Sequence, residues 1–302
     1  MRKTILAFVV VMLCISSTVF ANENMVGDEL RVNKRFLSKD EEVRIEKRSE
    51  EVGNYFLAVA KARAKLDQIS EQHLTNSNSF LASKAELEEL EKGYERLGLI
   101  RVDKGDNSVT PLSTRADYEI DKLTIYYDSK VNMHVIEMAG MWQNTNFYND
   151  AQCPAFCSGT INVGGRDGIG LFSLHRDINV FAPKFYTLTH GTLAETDWSY
   201  RANDPKDARG AGFYFDDTVQ VARVNPPKFE KYNAYRHLMW YYFNFTDGYP
   251  PSGTTISFKA SVGHTWASNY VSSISVGPWS VGITFDKSYD NWLREKVTYM
   301  SF

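Results

Sequence analysis

In the first third of the chain, hydrophobic residues recur every three or four positions. Two segments have this spacing, 38–69 and 83–97, with apolar positions at Val52, Phe56, Val59, Leu66, Ile69, Leu87, Leu90, Tyr94 and Leu97. Such spacing lines one face of an α-helix. Each segment opens on a Ser with a Glu three residues later, the capping-box pattern of a helix start, and Gly98 follows the second segment as a helix stop. We therefore predict a helical hairpin within residues 22–102, with solvated charged faces.

A polar segment at 103–114 has the composition of a linker, and beyond it apolar and polar residues alternate. Leu123, Ile125 and Tyr127 are the first alternating positions. Alternation places one set of side chains on a single face of a β-strand. The predicted fold class is therefore α+β, with the helical hairpin followed by a larger, mostly antiparallel and sandwich-like β-rich domain at 115–302.

The longest alternating pattern covers residues 254–285. Its apolar row comprises Ile256, Phe258, Ala260, Val262, His264, Trp266, Ile274, Val276, Trp279, Val281, Ile283 and Phe285. The opposite row holds Ser, Gly and Thr, with Lys259 as its single charge. The pattern fits a half-buried strand pair of a soluble sandwich, and it also fits a β-hairpin that enters a bilayer. On the second interpretation, five residues are predicted to contact a membrane or a partner: Trp266, Trp279, Val281, Ile283 and Phe285.

One segment, 230–245, interrupts the alternation. Its aromatic and Met residues at steps of three and four predict a short aromatic helix: Tyr232, Tyr235, Met239 and Tyr242. About a dozen residues here, with the pattern Ala-aromatic-Arg-His-x-x-Trp, resemble an element of uncharacterised secreted proteins of Gram-positive bacteria. The resemblance implies no known chemistry, and the Asn-His-Glu-Trp-like stretch of that element does not follow in this chain. His237, beside Arg236, is either a general base or part of a polar pair that supports the packed helix.

The first 21 residues have the pattern of a secretory signal peptide. Arg2 and Lys3 precede an apolar run from Ile5 to Ile15, and Ala21 completes a small-residue cleavage site. The run is shorter than the roughly 20 residues of a membrane span. We expect cleavage after Ala21 and a secreted, unanchored bacterial protein.

Removal of that segment makes the chain more acidic. The number of Lys and Arg residues falls from 34 to 32 against 37 Asp and Glu residues, so the formal net charge changes from −3 to −5. A nucleic-acid-binding protein needs a basic surface. The expected partners are therefore a cell-envelope or membrane surface, or a glycan, and not nucleic acid.

Cys153 and Cys157 are the two cysteines of the predicted mature chain. An even number of cysteines in an oxidising compartment favours a disulfide, so a local disulfide is the predicted state. Free thiols and a metal site are the alternatives. The spacing is one residue longer than that of a redox Cys-x-x-Cys, and a zinc site needs two further ligands. We predict no metal and no cofactor.

Known catalytic motifs are missing from the sequence. It contains no Gly-x-Ser-x-Gly, no His-Glu-x-x-His and no P-loop. Asp216 and Asp217, together with Glu195 and Asp197, offer candidates for the two carboxylates that a glycosidase needs. The candidate catalytic residues are Asp216, Asp217 and His237.

The segment 141–150 is rich in aromatic and amide side chains, which offer ring faces and hydrogen bonds to sugars. Its candidate binding residues are Trp142, Asn144 and Tyr148.

Three hypotheses about the function of the protein follow from these sequence features. The favoured one is a secreted interaction protein of a cell envelope or membrane, bacteriocin- or toxin-like. The alternatives are a glycan-directed extracellular hydrolase and a structural secreted protein without a discrete site.

The first testable prediction concerns export and the cysteines. Mass spectrometry of the secreted protein should find a chain that starts near Asn22 and is lighter by two hydrogens than its reduced form, because the disulfide forms after export. Two thiols that react with an alkylating reagent in the non-reduced sample would contradict the disulfide.

Overall fold

The structure is a computed structural model. It describes residues 37–72, 74–75, 77–103, 117–145, 148, 151, 157–198, 209–224, 228–266, 269–276 and 281–302. The predicted signal peptide, Cys153 and Trp279 lie outside these residues, and of Val281 only the backbone is described. In the described part of the chain, no helix combines the length and hydrophobicity that a membrane crossing requires.

Two helices precede the sheets, α1 (Lys39–Glu71) and α2 (Asn78–Arg96). The capping box at Ser38 is confirmed: its hydroxyl accepts from the Glu41 backbone, and the Glu41 carboxylate accepts from the Ser38 backbone. The predicted second capping box is wrong, because α2 begins earlier, at the N-cap Ser77. Ser83 therefore lies inside the helix and is buried. Gly98 follows α2 with a positive φ of 84°, as a helix stop requires.

The rest of the described chain is mostly antiparallel β-structure, as predicted. Its strands are β1 (Leu99–Arg101), β2 (Tyr118–Asp128), β3 (Met133–Trp142), β4 (Gly159–Ser173), β5 (Ile178–Leu188), β6 (Glu195–Asp197), β7 (Gly210–Ala222), β8 (Lys228–Tyr232), β9 (Arg236–Phe245), β10 (Thr255–Thr265), β11 (Val271–Val276), β12 (Val281–Phe285) and β13 (Asn291–Ser301).

The strands form two large sheets and one small one. Sheet one has the order β1-β2-β3-β9-β5-β6, sheet two has the order β13-β10-β4-β7-β8, and β11 pairs with β12. The two large sheets approach each other along one edge, where β13 runs beside β2 and Asp103 forms a bridge with Met300. The strands thereby curl into a half-barrel.

The predicted short aromatic helix is wrong, because this segment forms the end of β8, a turn and the whole of β9, which lies in the middle of sheet one. Met239 pairs with Met138 of β3 on one side and with Phe185 of β5 on the other. Every residue of β9 except Asn244 is buried. A strand covered on both faces carries hydrophobic residues at successive positions, so it lacks the alternation that reveals a strand.

Helix α1 covers the outer face of sheet one. Gly53 lies against the Trp240 ring and leaves no room for a Cβ. Phe56 packs edge-on to the same ring at a centroid distance of 5.9 Å. The indole N–H of Trp240 donates to Ser49 at 3.0 Å, and the buried Arg48 pairs with Asp128 of β2 at 2.8 Å. The helices and the sheets therefore share one hydrophobic core.

The predicted linker at 103–114 lies outside the described residues from position 104 onwards, so the boundary stays a prediction. The helical region and the β-rich region on either side of it belong to one compact unit. A chain break in the linker would leave their shared core in place.

The shared core predicts joint unfolding of helices and sheets. Phe56→Ala should lower the free energy of unfolding by about 3–5 kcal/mol, because a fully buried ring is removed. Helix circular dichroism and tryptophan fluorescence should report the same lowered midpoint. Leu81→Ala, at a position that is 58% exposed on α2, is the control and should change little. Loss of the helical signal alone, with the fluorescence transition unchanged, would show that the two regions are independent.

Candidate functional site

Three neighbouring strands of sheet two bring Asp167, Asp217 and His264 together in the interior. Asp167 lies on β4, Asp217 on β7 and His264 on β10, and each side chain is at most 3% exposed. His264 Nδ1 lies 2.8 Å from Asp167 Oδ2 and 3.8 Å from Asp217 Oδ2. We call these three residues the Asp–Asp–His cluster.

Hydrogen bonds fix the orientation of both carboxylates. Asp167 Oδ1 accepts from the backbone N–H of Thr265 at 2.8 Å and from its hydroxyl at 3.2 Å. The Tyr232 hydroxyl donates to Asp217 Oδ2 at 2.5 Å. Asp217 Oδ1 is buried and has no hydrogen-bond partner among the described residues. One carboxylate oxygen of the cluster therefore lacks a donor.

Burial raises the pKa of both aspartates. The pKa of Asp217 lies well above its usual range because of desolvation and then because of the nearby charge of Asp167. Desolvation also raises the pKa of Asp167, although His264 acts in the opposite direction. Two carboxylates this close together cannot both ionise without a compensating positive charge.

A bulge in β4 brings the chain beyond β10 close to the cluster. Residues 164–168 lie inside β4, where the register shifts between Asn162 and Arg166. Gly164 has a φ of 85°, and a Cβ there would lie 2.1 Å from the Thr265 carbonyl oxygen. Only glycine allows this approach, which holds Thr265 against Asp167.

Tryptophan rings surround His264. Trp142 of β3 meets the imidazole edge-on at a centroid distance of 5.0 Å, Trp292 of β13 lies at 5.3 Å, and Trp266 lies at 6.4 Å. Two of the predicted binding residues, Trp142 and Trp266, are therefore brought together at this cluster. Trp142 is only 2% exposed.

The other two residues of the predicted sugar platform lie elsewhere. The Asn144 amide donates to Asp117 at 2.7 Å. Tyr148 stacks on Phe229 at 5.6 Å and contacts His190. A sugar platform shared by Trp142, Asn144 and Tyr148 stays a prediction.

Asp216 and Asp217 point to opposite faces of β7, as neighbours in a strand do. Asp216 is exposed and Asp217 is buried, so the two cannot flank one glycosidic bond in this arrangement. His237 of β9 is buried as well, and its Nδ1 lies 2.8 Å from the Tyr118 hydroxyl. Burial lowers the pKa of His237 to about 3, and the charge of His264 acts in the same direction. His237 is therefore neutral at physiological pH.

The predicted membrane-facing residues fall on two different surfaces. The apolar row of β10 faces the core between the sheets, where Phe258 meets Phe243 of β9 at 5.0 Å. β11 and β12, which we call the β11–β12 hairpin, cover the other face of sheet two. Ile283 is 9% exposed and Phe285 is half-buried, and both lie over Gly263. The hairpin thus turns its apolar side towards the protein.

Comparison with known proteins identifies no family. No protein-family profile matches the chain, and no curated protein matches it. Among solved structures, the chain is similar to AvmM, which is described as catalysing macrocyclization in alchivemycin A biosynthesis. That likeness has 11% sequence identity and a TM-score of 0.20, and it covers 56% of this chain and 80% of AvmM.

Of the three residues in the Asp–Asp–His cluster, only Asp217 is a candidate site residue from the sequence. The available signal was the placement of His264 in the apolar row of β10, because an ionisable side chain in a buried row needs a polar partner. Its partner Asp167 is 97 residues away in sequence. Only the strand pairing identifies it.

The low pKa of His237 predicts a pH dependence of stability. In the unfolded chain, histidine has a pKa near 6.5, so His237 adds stability above that pH, and this contribution is lost as the pH falls towards 3. When the pH is lowered from 7.5 to 5, the free energy of unfolding should decrease in both proteins. The decrease should be about 2 kcal/mol smaller in His237→Gln than in the wild type. Denaturant titrations at both pH values measure this difference.

The matched control is His175→Gln, at an exposed position. It should follow the wild-type pH profile. If His237→Gln also runs parallel to the wild type, His237 is not held neutral in the folded protein.

Proposed function

We propose that this protein is exported and acts at a cell-envelope or membrane surface, as a bacteriocin- or toxin-like factor does. The β11–β12 hairpin is the element that would engage lipid. The supporting observation is a charge-free hairpin that rests with its apolar side on a row of glycines.

The β11–β12 hairpin is a small sheet of its own. In the described pairings, β11 and β12 hydrogen-bond to each other and to neither large sheet. Their buried side chains pack against Phe172 of β4 in a small cluster of their own, which comprises Val271, Ile274 and Ile283. Separation of the hairpin would therefore break side-chain contacts but no sheet ladder.

Sheet two meets the hairpin with glycines. A Cβ at Gly212 would lie 2.5 Å from Ile274, one at Gly263 would lie 2.9 Å from Ile283, and one at Gly168 would lie 3.0 Å from Val271. The glycines allow close packing but offer little apolar surface of their own. The apolar side chains of the hairpin are stabilised on sheet two mainly by their removal from water, at about 25 cal/mol per Å² buried. A bilayer also removes them from water, so it provides a similar gain in free energy.

The composition of the hairpin fits a lipid environment. From Ala260 to Phe285 the chain contains no Asp, Glu, Lys or Arg. The described strands have six and five residues, whereas a crossing strand needs about 9–11. The charge-free chain from 270 to 285 is shorter than two such strands, so the hairpin would enter a bilayer without crossing it.

The base of the hairpin is held by Asn269. Its amide donates to the Tyr289 carbonyl at 2.7 Å, and its carbonyl oxygen accepts from the Lys287 backbone at 2.9 Å. This anchor joins the two chain ends of the hairpin. The strands beyond it can swing away from sheet two while the base stays in place.

A reversible cross-link tests the proposal. In the variant Gly168→Cys/Val271→Cys, the introduced Cβ at 168 lies 3.0 Å from the position of a Val271 methyl group, close enough for a disulfide. The oxidised variant should release no dye from vesicles of phosphatidylcholine and phosphatidylglycerol, because the hairpin is tied to β4. Reduction should restore release to the wild-type level.

The controls are the two single-cysteine variants and the wild type with reductant, all of which should release dye. Intact vesicles after wild-type addition would refute membrane action. Equal release by the oxidised and reduced variant would refute the role of the hairpin.

The alternative proposal, a glycan-directed hydrolase, has less support. Asp216 and Asp217 lie on opposite faces of β7, and Asp217 and His237 are buried. A substrate would reach these groups only after the two sheets had moved apart.

A further inference from the structure

We infer that the Asp–Asp–His cluster is a binding site for a divalent cation of the zinc class. The ligands are one carboxylate oxygen each from Asp167 and Asp217, together with His264 Nδ1. This site is independent of the membrane proposal, and no sequence motif marks it.

The distances suit a single ion. One ligand atom from each of the three residues lies within 4.8 Å of the other two. An ion at about 2.0–2.2 Å from nitrogen and oxygen ligands sets these atoms roughly 3.0–3.6 Å apart. The separations from His264 Nδ1 are 2.8 Å to Asp167 Oδ2 and 3.8 Å to Asp217 Oδ2, and they bracket that range. A small rotation of the Asp217 carboxylate would present its Oδ1, which has no donor, to the ion, while Oδ2 keeps the Tyr232 hydroxyl.

The unpartnered Asp217 Oδ1 is the second observation. The Asp217 residue is 1% exposed, and this oxygen has no donor among the described residues. A buried carboxylate oxygen without a donor is costly. A divalent cation would satisfy it and would offset the negative charges that the two carboxylates carry when both are ionised.

Neighbouring residues form hydrogen bonds to the carboxylate ligands, as outer-shell residues do in known metal sites. Thr265 fixes Asp167 Oδ1 through two hydrogen bonds, and the Tyr232 hydroxyl fixes Asp217 Oδ2. Such partners set the orientation of ligating side chains. The tryptophan rings around His264 exclude water, so an ion here would exchange slowly.

The mixed donor set selects the type of cation. One imidazole and two carboxylates fit zinc, and also manganese, since imidazole suits zinc and carboxylate suits manganese. Calcium requires six to eight oxygen ligands, which the three residues do not supply. Three protein ligands leave a further coordination position, as catalytic zinc sites do.

Metal analysis of the full protein tests the inference. The protein is expressed in zinc-supplemented medium and its metal content is measured as isolated and after dialysis against Zn²⁺. The wild type should hold about one equivalent. Asp217→Asn should weaken zinc binding by more than about 100-fold, since even outer-shell changes weaken metal sites 10- to 100-fold. Asp216→Asn, on the exposed face of the same strand, is the matched control and should keep the wild-type content.

Two further measurements separate ligand loss from unfolding. Tyr232→Phe keeps all three ligands and should weaken zinc binding about 10- to 100-fold. Cobalt bound in place of zinc should give d–d absorption bands in the wild type and in Asp216→Asn. A wild type that holds no zinc in either measurement, or an Asp217→Asn variant that holds as much as the wild type, would overturn the inference.

Discussion

The burial of β9 on both faces is the constraint on which the rest of the structure depends. On one face, Trp240 packs against Phe56 of α1. On the other face, His237 contacts Phe215 and Phe243 contacts Phe258, both from sheet two. A strand that is hydrophobic on both sides is stable only between two covering layers. The helices and sheet two are these layers.

The two faces of sheet two differ in composition. The inner face carries ionisable side chains, and the outer face carries glycines. Asp167, Asp217 and His264 point into the core, while Gly168, Gly212 and Gly263 point outwards under the β11–β12 hairpin. These two features lie one residue apart on β4 and on β10. The alternation of a strand thus places a proposed metal site and a proposed membrane element on opposite faces of the same sheet.

Local patterns predicted some of the helix ends. The capping box at Ser38 and the stop at Gly98 were correct because a few adjacent residues can determine a helix terminus. The same pattern at Ser83 was wrong, because α2 already begins at Ser77. The alternation at 123–127 correctly indicated a strand. β9 was wrongly predicted as a helix because residues from distant parts of the chain bury both of its faces. A strand buried on both faces does not show the alternation of apolar and polar residues by which a strand is recognised in sequence.

The Asp–Asp–His cluster was hidden for a related reason. Its members come from three strands, and Asp167 and His264 meet only because Gly168 pairs with Gly263 between β4 and β10. The apolar row of 254–285 was read as one surface, whereas β10 faces the core and the hairpin faces the outside of sheet two. Alternating apolar residues show which side chains share one face of a strand. They do not show which part of the protein covers that face.

The central claim is that the β11–β12 hairpin can leave sheet two and bind lipid while the core built on β9 stays intact. Hydrogen–deuterium exchange of the full protein, followed by mass spectrometry with and without lipid vesicles, tests this claim directly. In solution, the backbone amides of 271–276 and 281–285 should exchange faster than those of β9, and vesicles should slow the exchange of the hairpin amides alone. Hairpin amides that are as protected as those of β9 in solution and unchanged by vesicles would contradict it.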